Sequence, residues 1–444
     1  MRAERRADAR AVRVALTSGP TCDWIVVRWL RGRSFGTATL VVLAVALVVR
    51  LLYWRFAVPD YQPVSDDAQY LEIATNVANG DGFTQIFPQL ERHATAFRPP
   101  AYPYLLGALF FVVGGPSVAW GQVLNVALGL AVVFLTVRLG RRIGGEAVGL
   151  AAGLLVAVYP PIVANDLALL TEPLSLLLLL GCLLALLDER WLVAGLLTGG
   201  LVLARPSAQF LVVVLVVWLW ATRRRSGTVL RPILLLAAGT VLVTTPWLIR
   251  NQVELGEATL VTSNGFNAAA LYSPQATASG TFVDPVRDDR FEQFRYGQLN
   301  EIIWQHDLQH LAWQNVVDNP TVVPRVMGRN LLAYLEVRPD LNSGAERLDG
   351  RNPAVRTWTL PLFYANLVLG VAGLFRMRRT AAGQLLIVVA GYFVLSSIVF
   401  VAAPRVRVPF DLILCLGTAS FVVSWLRARR SRTAAAPAAA PSTA

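Results

Sequence analysis

Two adjacent carboxylates directly follow the first long apolar run of the sequence. Residues 63–70 read PVSDDAQY, and apolar residues continue behind them at helical spacing, which predicts an amphipathic helix with Ser65 as its N-cap. Carboxylates in a first helical turn are favoured by the helix dipole, so helix initiation is one interpretation. The other is that Asp66 or Asp67 is a catalytic general base for an acceptor hydroxyl. Neighbouring side chains on a helix diverge by about 100°, so only one should face a substrate.

A second acidic pair, Asp166 and Glu172, stands between two later apolar runs. Asp166 closes one run, and the sequence Thr171-Glu172-Pro173 opens the next. Proline just inside a helix start is ordinary capping chemistry, which is the structural interpretation of this segment. The functional alternative is that the two acidic turns together hold a divalent metal or orient an acceptor.

Arginines occur at the ends of several apolar runs, and they are candidates for binding phosphate. Arginine at this depth commonly extends to water or pairs with lipid phosphate. Its planar fork also binds phosphate bidentately, which a reaction with a lipid phosphate leaving group requires. The candidates for donor phosphate binding are Arg98, Arg250, Arg405 and Arg407, and Arg205 has a similar position.

Other patterns have weaker chemical content. His306 and His310 are four residues apart, as on one face of a metal-binding helix, but no third ligand is suitably spaced. Arg50 lies inside the first apolar run and is expected to extend towards the membrane surface. The pair Asn264-Gly265 predicts a turn, and residues 321–337 predict an amphipathic surface helix.

The elements that position these residues are membrane-spanning helices. Of the 444 residues, 55% are hydrophobic and 15% charged, compared with roughly 25% charged in soluble domains. The mean hydropathy is +0.52, and all 40 basic residues are arginine. This composition excludes soluble enzymes and disulfide-rich secreted proteins. The net charge of +12 is explained by orientation in a membrane rather than by nucleic-acid binding.

The apolar runs predict an all-α polytopic protein with about ten spans, because a spanning helix needs about 20 mostly apolar residues. The predicted spans are 37–57, 118–140, 146–164, 173–188, 191–204, 207–221, 229–246, 357–375, 381–402 and 406–426. Residues 101–114 are too short to span and follow Pro99-Pro100, so they predict an interfacial helix.

Arginine placement predicts the orientation of these spans. Eight arginines precede the first apolar run, no small-residue cleavage motif follows it, and it therefore predicts an uncleaved anchor. With residues 101–114 in the interface, the arginine clusters between spans fall on one side, which the positive-inside rule assigns to the cytoplasm. Both termini are then cytoplasmic, and residues 58–117 and 247–355 face outward.

Several motifs in order resemble the GT-C class of integral-membrane glycosyltransferases, with the lipid A aminoarabinose transferases and protein O-mannosyltransferases as relatives. They are SDDAQY, FRPPAYPYLL, LLTEPLSLLLL, ARP, PWLIRN and APRVRVPF, within residues 37–426. The resemblance implies an inverting transfer of a hexosyl or pentosyl group from a polyprenyl-phosphate donor to a lipid, glycan or protein acceptor at the outer face of the cytoplasmic membrane.

The resemblance also assigns roles to individual residues. Asp66 resembles the catalytic aspartate of the first outer loop, and Asp67 the acidic residue after it. Arg98 resembles the basic residue that contacts the donor phosphate, and Glu172 the acidic residue of the second outer loop. Arg250, Arg405 and Arg407 are looser matches, and the family's use of a divalent metal is uneven.

The expected organisation follows from the spans and the motifs. It comprises a basic cytoplasmic segment (1–36), a catalytic transmembrane module (37–246), an outer region (247–355), C-terminal spans (356–426) and a disordered cytoplasmic tail (427–444). The alternatives are a transporter or flippase for a lipid-linked sugar, a glycan ligase or polymerase, and a non-catalytic membrane scaffold. Transporters concentrate ionisable residues near the bilayer midplane, whereas here they lie at the outer ends of spans, which favours the enzyme.

Overall fold

The computed structural model describes residues 34–87, 91–224, 227, 229–294, 300–338, 352–401 and 403–434. The predictions for residues 1–33 and 435–444 therefore lie outside the described residues. The chain divides into two compact units, Met1–Val41 and Val42–Ala444. Of the first unit, residues 34–41 are described and begin helix α1; the features below belong to the second unit.

The fold is almost entirely helical. The α-helices are α1 Phe35–Ala57, α2 Asp66–Asn79, α3 Ala101–Val113, α4 Val118–Gly144, α5 Glu146–Val158, α6 Pro160–Asn165, α7 Glu172–Leu187, α8 Trp191–Ala204, α9 Leu211–Arg223, α10 Leu230–Leu255, α11 Ser263–Tyr272, α12 Pro274–Ser279, α13 Glu301–Asp318, α14 Val322–Tyr334, α15 Pro353–Met377, α16 Ala381–Val399 and α17 Val408–Ala434. Short 3-10 helices cover Pro206–Ala208, Asp289–Phe294 and Pro404–Arg407. A two-residue antiparallel pair joins β1 Thr84–Gln85 to β2 His93–Ala94.

Every predicted span is helical, although the span 146–164 forms two helices, and this confirms the polytopic helical class. Seven helices among the described residues are long and apolar enough to cross a membrane, namely α1, α4, α9 with the 3-10 helix before it, α10, α15, α16 and α17. Helices α5, α7 and α8 are apolar but shorter. Helix α3 has 13 residues, about 20 Å at 1.5 Å per residue, and is shorter than the roughly 30 Å of a bilayer core.

Some boundaries differ from the predicted ones, and a proline explains one of the differences. The run 146–164 breaks at Tyr159, because a residue before proline disfavours the helical conformation. In contrast, α10 continues through Pro246 to Leu255 and carries Arg250 beyond the predicted end of its span. Helix α17 continues to Ala434, so the first part of the predicted tail is helical. The predicted amphipathic helix after residue 320 is confirmed as α14.

Glycines permit the closest helix packing, as is usual between membrane helices. Helices α8 and α10 meet at Gly195 and Gly239, where a Cβ on Gly239 would lie 2.7 Å from the backbone oxygen of Leu192. Gly265 also allows close packing, because it lies against the backbone of Gln305 on α13. The turn predicted at Asn264-Gly265 is wrong, since both residues lie inside α11. Small residues at these positions let outer helices and spans approach to backbone contact.

Candidate active site

Asp66 is the centre of a charged cluster at the start of α2. Its Oδ1 accepts a hydrogen bond from Nη2 of Arg98, and its Oδ2 accepts one from Nη2 of Arg405. Nε of Arg98 donates to Oε1 of Gln69 at 2.8 Å. Burial alone would raise the pKa of the Asp66 carboxyl, but the charges of Arg98 and Arg405 outweigh burial and lower the pKa below its ordinary value. Asp66 is therefore an ionised carboxylate.

Asp67 has a different environment, although it is the adjacent residue. Its side chain is fully buried, and its Oδ1 accepts hydrogen bonds from the backbone amides of Val64 (3.0 Å), Ser65 (2.8 Å) and Ala68 (2.9 Å). Ser65 precedes the helix as predicted, but its side chain makes no capping hydrogen bond. The carboxylate of Asp67 fixes the start of α2 and does not line the cavity described below.

The two acidic turns are joined through a tyrosine. The hydroxyl of Tyr61 donates to Oδ2 of Asp67 at 2.6 Å and accepts a hydrogen bond from the amide of Leu169 at 2.9 Å. On the other side of this turn, Nε2 of Gln122 donates to Leu167 O at 2.9 Å, and Nδ2 of Asn125 donates to the carbonyls of Ala168 and Leu170. The segment before Glu172 is therefore held between α2 and α4.

The second acidic turn separates its own two carboxylates. Asp166 is 1% exposed and pairs with Arg50, whose Nε and Nη2 lie 2.8 and 2.5 Å from its Oδ2. Arg50 therefore turns inward, and the expectation that it extends to the surface is wrong. The reason is that Asp166 and the carbonyls of Ala46 and Ala157 satisfy its guanidinium inside the helix bundle. Glu172 lies at the start of α7, 4% exposed, and lines the same cavity as Asp66.

The predicted phosphate-binding arginines divide into two groups. Arg98 and Arg405 line the cavity beside Asp66. Arg250 instead donates to the carbonyls of Thr95 and Phe83, at 2.6 and 2.9 Å, and connects the end of α10 to the strand pair.

Arg407, two residues after Arg405, is fully buried. Its guanidinium contacts Glu336 at 2.7 Å, Asp411 at 3.1 Å and Tyr334 O at 2.7 Å. This guanidinium is occupied by acidic partners within the protein, so the structure does not bring Arg407 to Asp66.

The cavity has a volume of about 930 Å³, and both charged and apolar side chains line it. The charged side chains include Asp66, Arg98, Arg405, Glu172 and Arg205. The apolar side chains include Phe210, Trp313, Val316, Val399 and Phe400. Arg205 belongs to this cluster and was absent from the predicted phosphate-binding set; its position directly before a proline, as for Arg98, was the available sequence signal.

The predicted acidic and histidine groups do not assemble as a metal centre in the described part of the chain. No group of three or more His, Cys, Asp or Glu side chains there could hold an ion. Both oxygens of Asp66 face guanidinium groups, which would repel a divalent cation. His306 lies on α13 with His310, but its Nε2 contacts Oε2 of Glu257 at 2.7 Å. These donor sets do not fit a divalent metal.

Comparison with known proteins identifies the fold. No protein-family model and no curated protein sequence matches the chain. Among solved structures, the chain is similar to the oligosaccharyltransferase AglB from Archaeoglobus fulgidus in complex with an inhibitory peptide and a dolichol-phosphate, at 15% identity and a TM-score of 0.53. A structure of the A. fulgidus oligosaccharyltransferase tethered with an acceptor peptide containing the NVT sequon matches at 13% identity and a TM-score of 0.54.

These matches cover nearly all of this chain but only about half of the archaeal chains. They cover 93% and 92% of this chain, and 53% and 52% of those chains, so this chain spans about half the length of the archaeal protein. ArnT from Cupriavidus metallidurans bound to undecaprenyl phosphate is also similar, at 13% identity, 88% and 79% coverage and a TM-score of 0.42. At their identities, the two archaeal oligosaccharyltransferase structures show a shared fold. The chain is a polytopic helical membrane protein with the GT-C glycosyltransferase fold.

Proposed function

We propose that this protein is an inverting glycosyltransferase that moves a sugar from a polyprenyl-phosphate donor to an acceptor hydroxyl. The observation that carries the proposal is the Asp66 carboxylate held between Arg98 and Arg405 in the wall of a cavity that apolar side chains also line. A lipid-linked sugar phosphate likewise combines a charged head with an apolar chain. The GT-C fold supports this reading.

Arg98 and Arg405 have the chemistry of a phosphate clamp. A guanidinium remains protonated at any physiological pH and offers parallel N–H donors that match phosphate oxygens. A sugar phosphodiester gains negative charge on its phosphate as the sugar departs, so the two arginines stabilise the transition state more than the bound donor. This difference in stabilisation is what accelerates the reaction.

Asp66 is the proposed base. The acceptor oxygen attacks the anomeric carbon, and its proton passes to the Asp66 carboxylate. The bond between the anomeric carbon and the phosphate oxygen breaks, and its electron pair leaves with the polyprenyl phosphate. Attack from the face opposite the leaving group inverts the anomeric centre.

The contact between Asp66 and the two arginines couples donor binding to base strength. The carboxylate of Asp66 is in direct contact with the guanidinium groups of Arg98 and Arg405. A donor phosphate competes for the same guanidinium donors. As a guanidinium turns to the phosphate, Asp66 loses a stabilising charge and becomes a stronger base.

Orientation and domain roles belong to the same proposal. The arginine distribution supports a cytoplasmic location for both termini and an active site at the outer face of the cytoplasmic membrane. Residues 37–246, with the outer loop 58–117, then form most of the catalytic module, residues 247–355 the outer region that meets the acceptor, and residues 356–426 supply Arg405. The acceptor is a lipid, a glycan or a protein.

The test is sugar transfer in membranes that contain the wild-type protein, Asp66→Asn or Asp60→Asn at equal expression. Asp60 is an exposed carboxylate of the same outer segment and serves as the matched control. The donors are undecaprenyl phosphates that carry radiolabelled hexoses or pentoses. We expect Asp66→Asn to reduce transfer by about 10²–10⁴-fold, the usual contribution of a general base, and Asp60→Asn to leave it unchanged.

Two outcomes would contradict the proposal. One is equal transfer by the wild-type protein and Asp66→Asn. The other is movement of the labelled lipid across sealed vesicles with no donor consumed, which would identify a flippase.

A further inference from the structure

Two buried polar atoms of residues that line the cavity have no hydrogen-bond partner among the described residues. They are Oε2 of Glu172 and Nη1 of Arg205. The two residues are 4% and 5% exposed, and both line the cavity that contains Asp66. An unsatisfied buried acceptor or donor is unfavourable for the folded protein, so its presence in a cavity wall indicates a ligand that completes the hydrogen bond.

The backbone fixes these two side chains beside each other. Oγ1 of Thr171 donates to the carbonyl oxygen of Ala204 at 2.8 Å, which joins the residue before Glu172 to the residue before Arg205. The rest of the Arg205 guanidinium is also held, because its Nε donates to Oγ of Ser207 at 2.9 Å and its Nη2 to Val406 O at 2.8 Å. Nη1 is the guanidinium nitrogen that has no partner among the described residues.

Glu172 and Arg205 influence each other electrostatically without forming an ion pair within the described chain. The charge of Glu172 acts on both Arg205 and Tyr70, and Tyr70 also feels the charge of Asp66. The pair is therefore close to the proposed base. Since the carboxylate and the guanidinium are not joined, each has an unsatisfied atom available to a polar group in the cavity.

The combination selects a neutral ligand. A phosphate would be repelled by Glu172, and a cation would be repelled by Arg205. A hydroxyl group both donates and accepts, so adjacent sugar hydroxyls satisfy the carboxylate and the guanidinium together. We infer that Glu172 and Arg205 form the subsite that binds hydroxyls of the donor sugar, and this inference rests on the proposed glycosyltransferase function. The subsite is separate from the phosphate clamp of Arg98 and Arg405.

The test compares binding of two lipids to the purified full chain. The probes are undecaprenyl phosphate and the same lipid carrying mannose, glucose or arabinose. We expect the wild-type protein to bind at least one sugar-carrying lipid at least tenfold more tightly than the bare lipid. Glu172→Gln and Arg205→Lys should each reduce that advantage about tenfold and leave bare-lipid binding within about threefold, because a charge-assisted hydrogen bond is lost only to the sugar.

Glu254→Gln is the matched control, since Glu254 is an exposed carboxylate at the end of α10. Binding of the bare lipid verifies that each variant is folded. If no sugar improves wild-type binding, or if the variants lose affinity for both lipids equally, the sugar subsite is overturned. If the wild-type protein binds neither lipid, the proposed function itself fails.

Discussion

Replacement of Arg98 gives the sharpest test of the proposed clamp. Its guanidinium contacts Asp66 and Gln69 at once, through Nη2 and Nε, and lies against the ring of Phe97 with 5.1 Å between the guanidinium carbon and the ring centroid. A lysine ammonium keeps the charge but cannot make both hydrogen bonds with fork geometry. Arg98→Lys and Arg98→Gln therefore separate the contribution of charge from that of shape.

The expected magnitudes follow from the number of bonds lost. A hydrogen bond to a charged group contributes about 1.5–3 kcal/mol. Arg98→Lys loses one such bond, so kcat/KM for the donor should fall about 10–150-fold. Arg98→Gln loses two bonds and the charge, and should reduce kcat/KM at least about 100-fold. The same substitution removes one cation from Asp66 and should raise its pKa, moving the acid limb of kcat/KM to higher pH.

The assay is donor-dependent transfer between pH 4 and 8 for the wild type, both variants and the control Arg92→Gln. Arg92 lies on the same outer segment and pairs with Asp81 at the protein surface, with 52% of its side chain exposed. The control should behave as the wild type. An Arg98→Gln protein with an unchanged kcat/KM for the donor and an unchanged acid limb would refute the clamp and its coupling to Asp66.

Two further predictions concern the stability of the outer segments and of the bundle. Burial alone would lower the pKa of His93, but its hydrogen bond to Glu301 (3.0 Å) and nearby acidic charges raise the pKa above 6.5. Protonated His93 therefore stabilises the fold fully below pH 6.5, and this stabilisation is lost as the pH rises through the raised pKa. The difference in melting temperature between the wild type and His93→Gln should therefore shrink towards about pH 9. An alanine Cβ at Gly129 would collide with the Asp166 carboxylate, so Gly129→Ala should destabilise the protein by about 1–3 kcal/mol. Gly391→Ala is the control and should not destabilise it, because no atom lies within 4 Å of a Cβ at Gly391. Equal midpoints of chemical denaturation for the two variants would contradict this prediction.

The helices were predictable because they depend on local composition. Each apolar run carries its own signal, and the proline pair before α3 marks where that helix begins. The acidic residues around Asp66 could also be recognised as candidate site residues, because a carboxylate directly after a membrane span usually has either a capping role or a functional one. The resemblance to the GT-C class, which came from ordered motifs, agrees with the fold found by structural comparison.

Pairing between distant residues was not predictable in the same way. Asp66 and Arg405 are 339 residues apart, and nothing local distinguishes Arg405 from Arg407. The short 3-10 helix Pro404–Arg407 points one guanidinium to the cavity and the other to Glu336 and Asp411. Charge type and depth were the same for both arginines, and only the three-dimensional partners separate them.

The buried pair of Arg50 and Asp166 has a consequence for how the protein is made. The two residues are 116 positions apart, so at about 5–20 residues per second Arg50 enters the membrane about 6–23 s before its partner is synthesised. An unpartnered arginine costs an inserting helix up to about 2.5–3.5 kcal/mol, the cost at the helix centre. The high mean hydropathy of 2.3 over the most apolar 18-residue window of α1 offsets this cost. Helix α1 therefore inserts first, and Asp166 pairs with Arg50 in a later step of biogenesis. The Asp166 carboxylate stabilises the packed helix but does not assist its insertion.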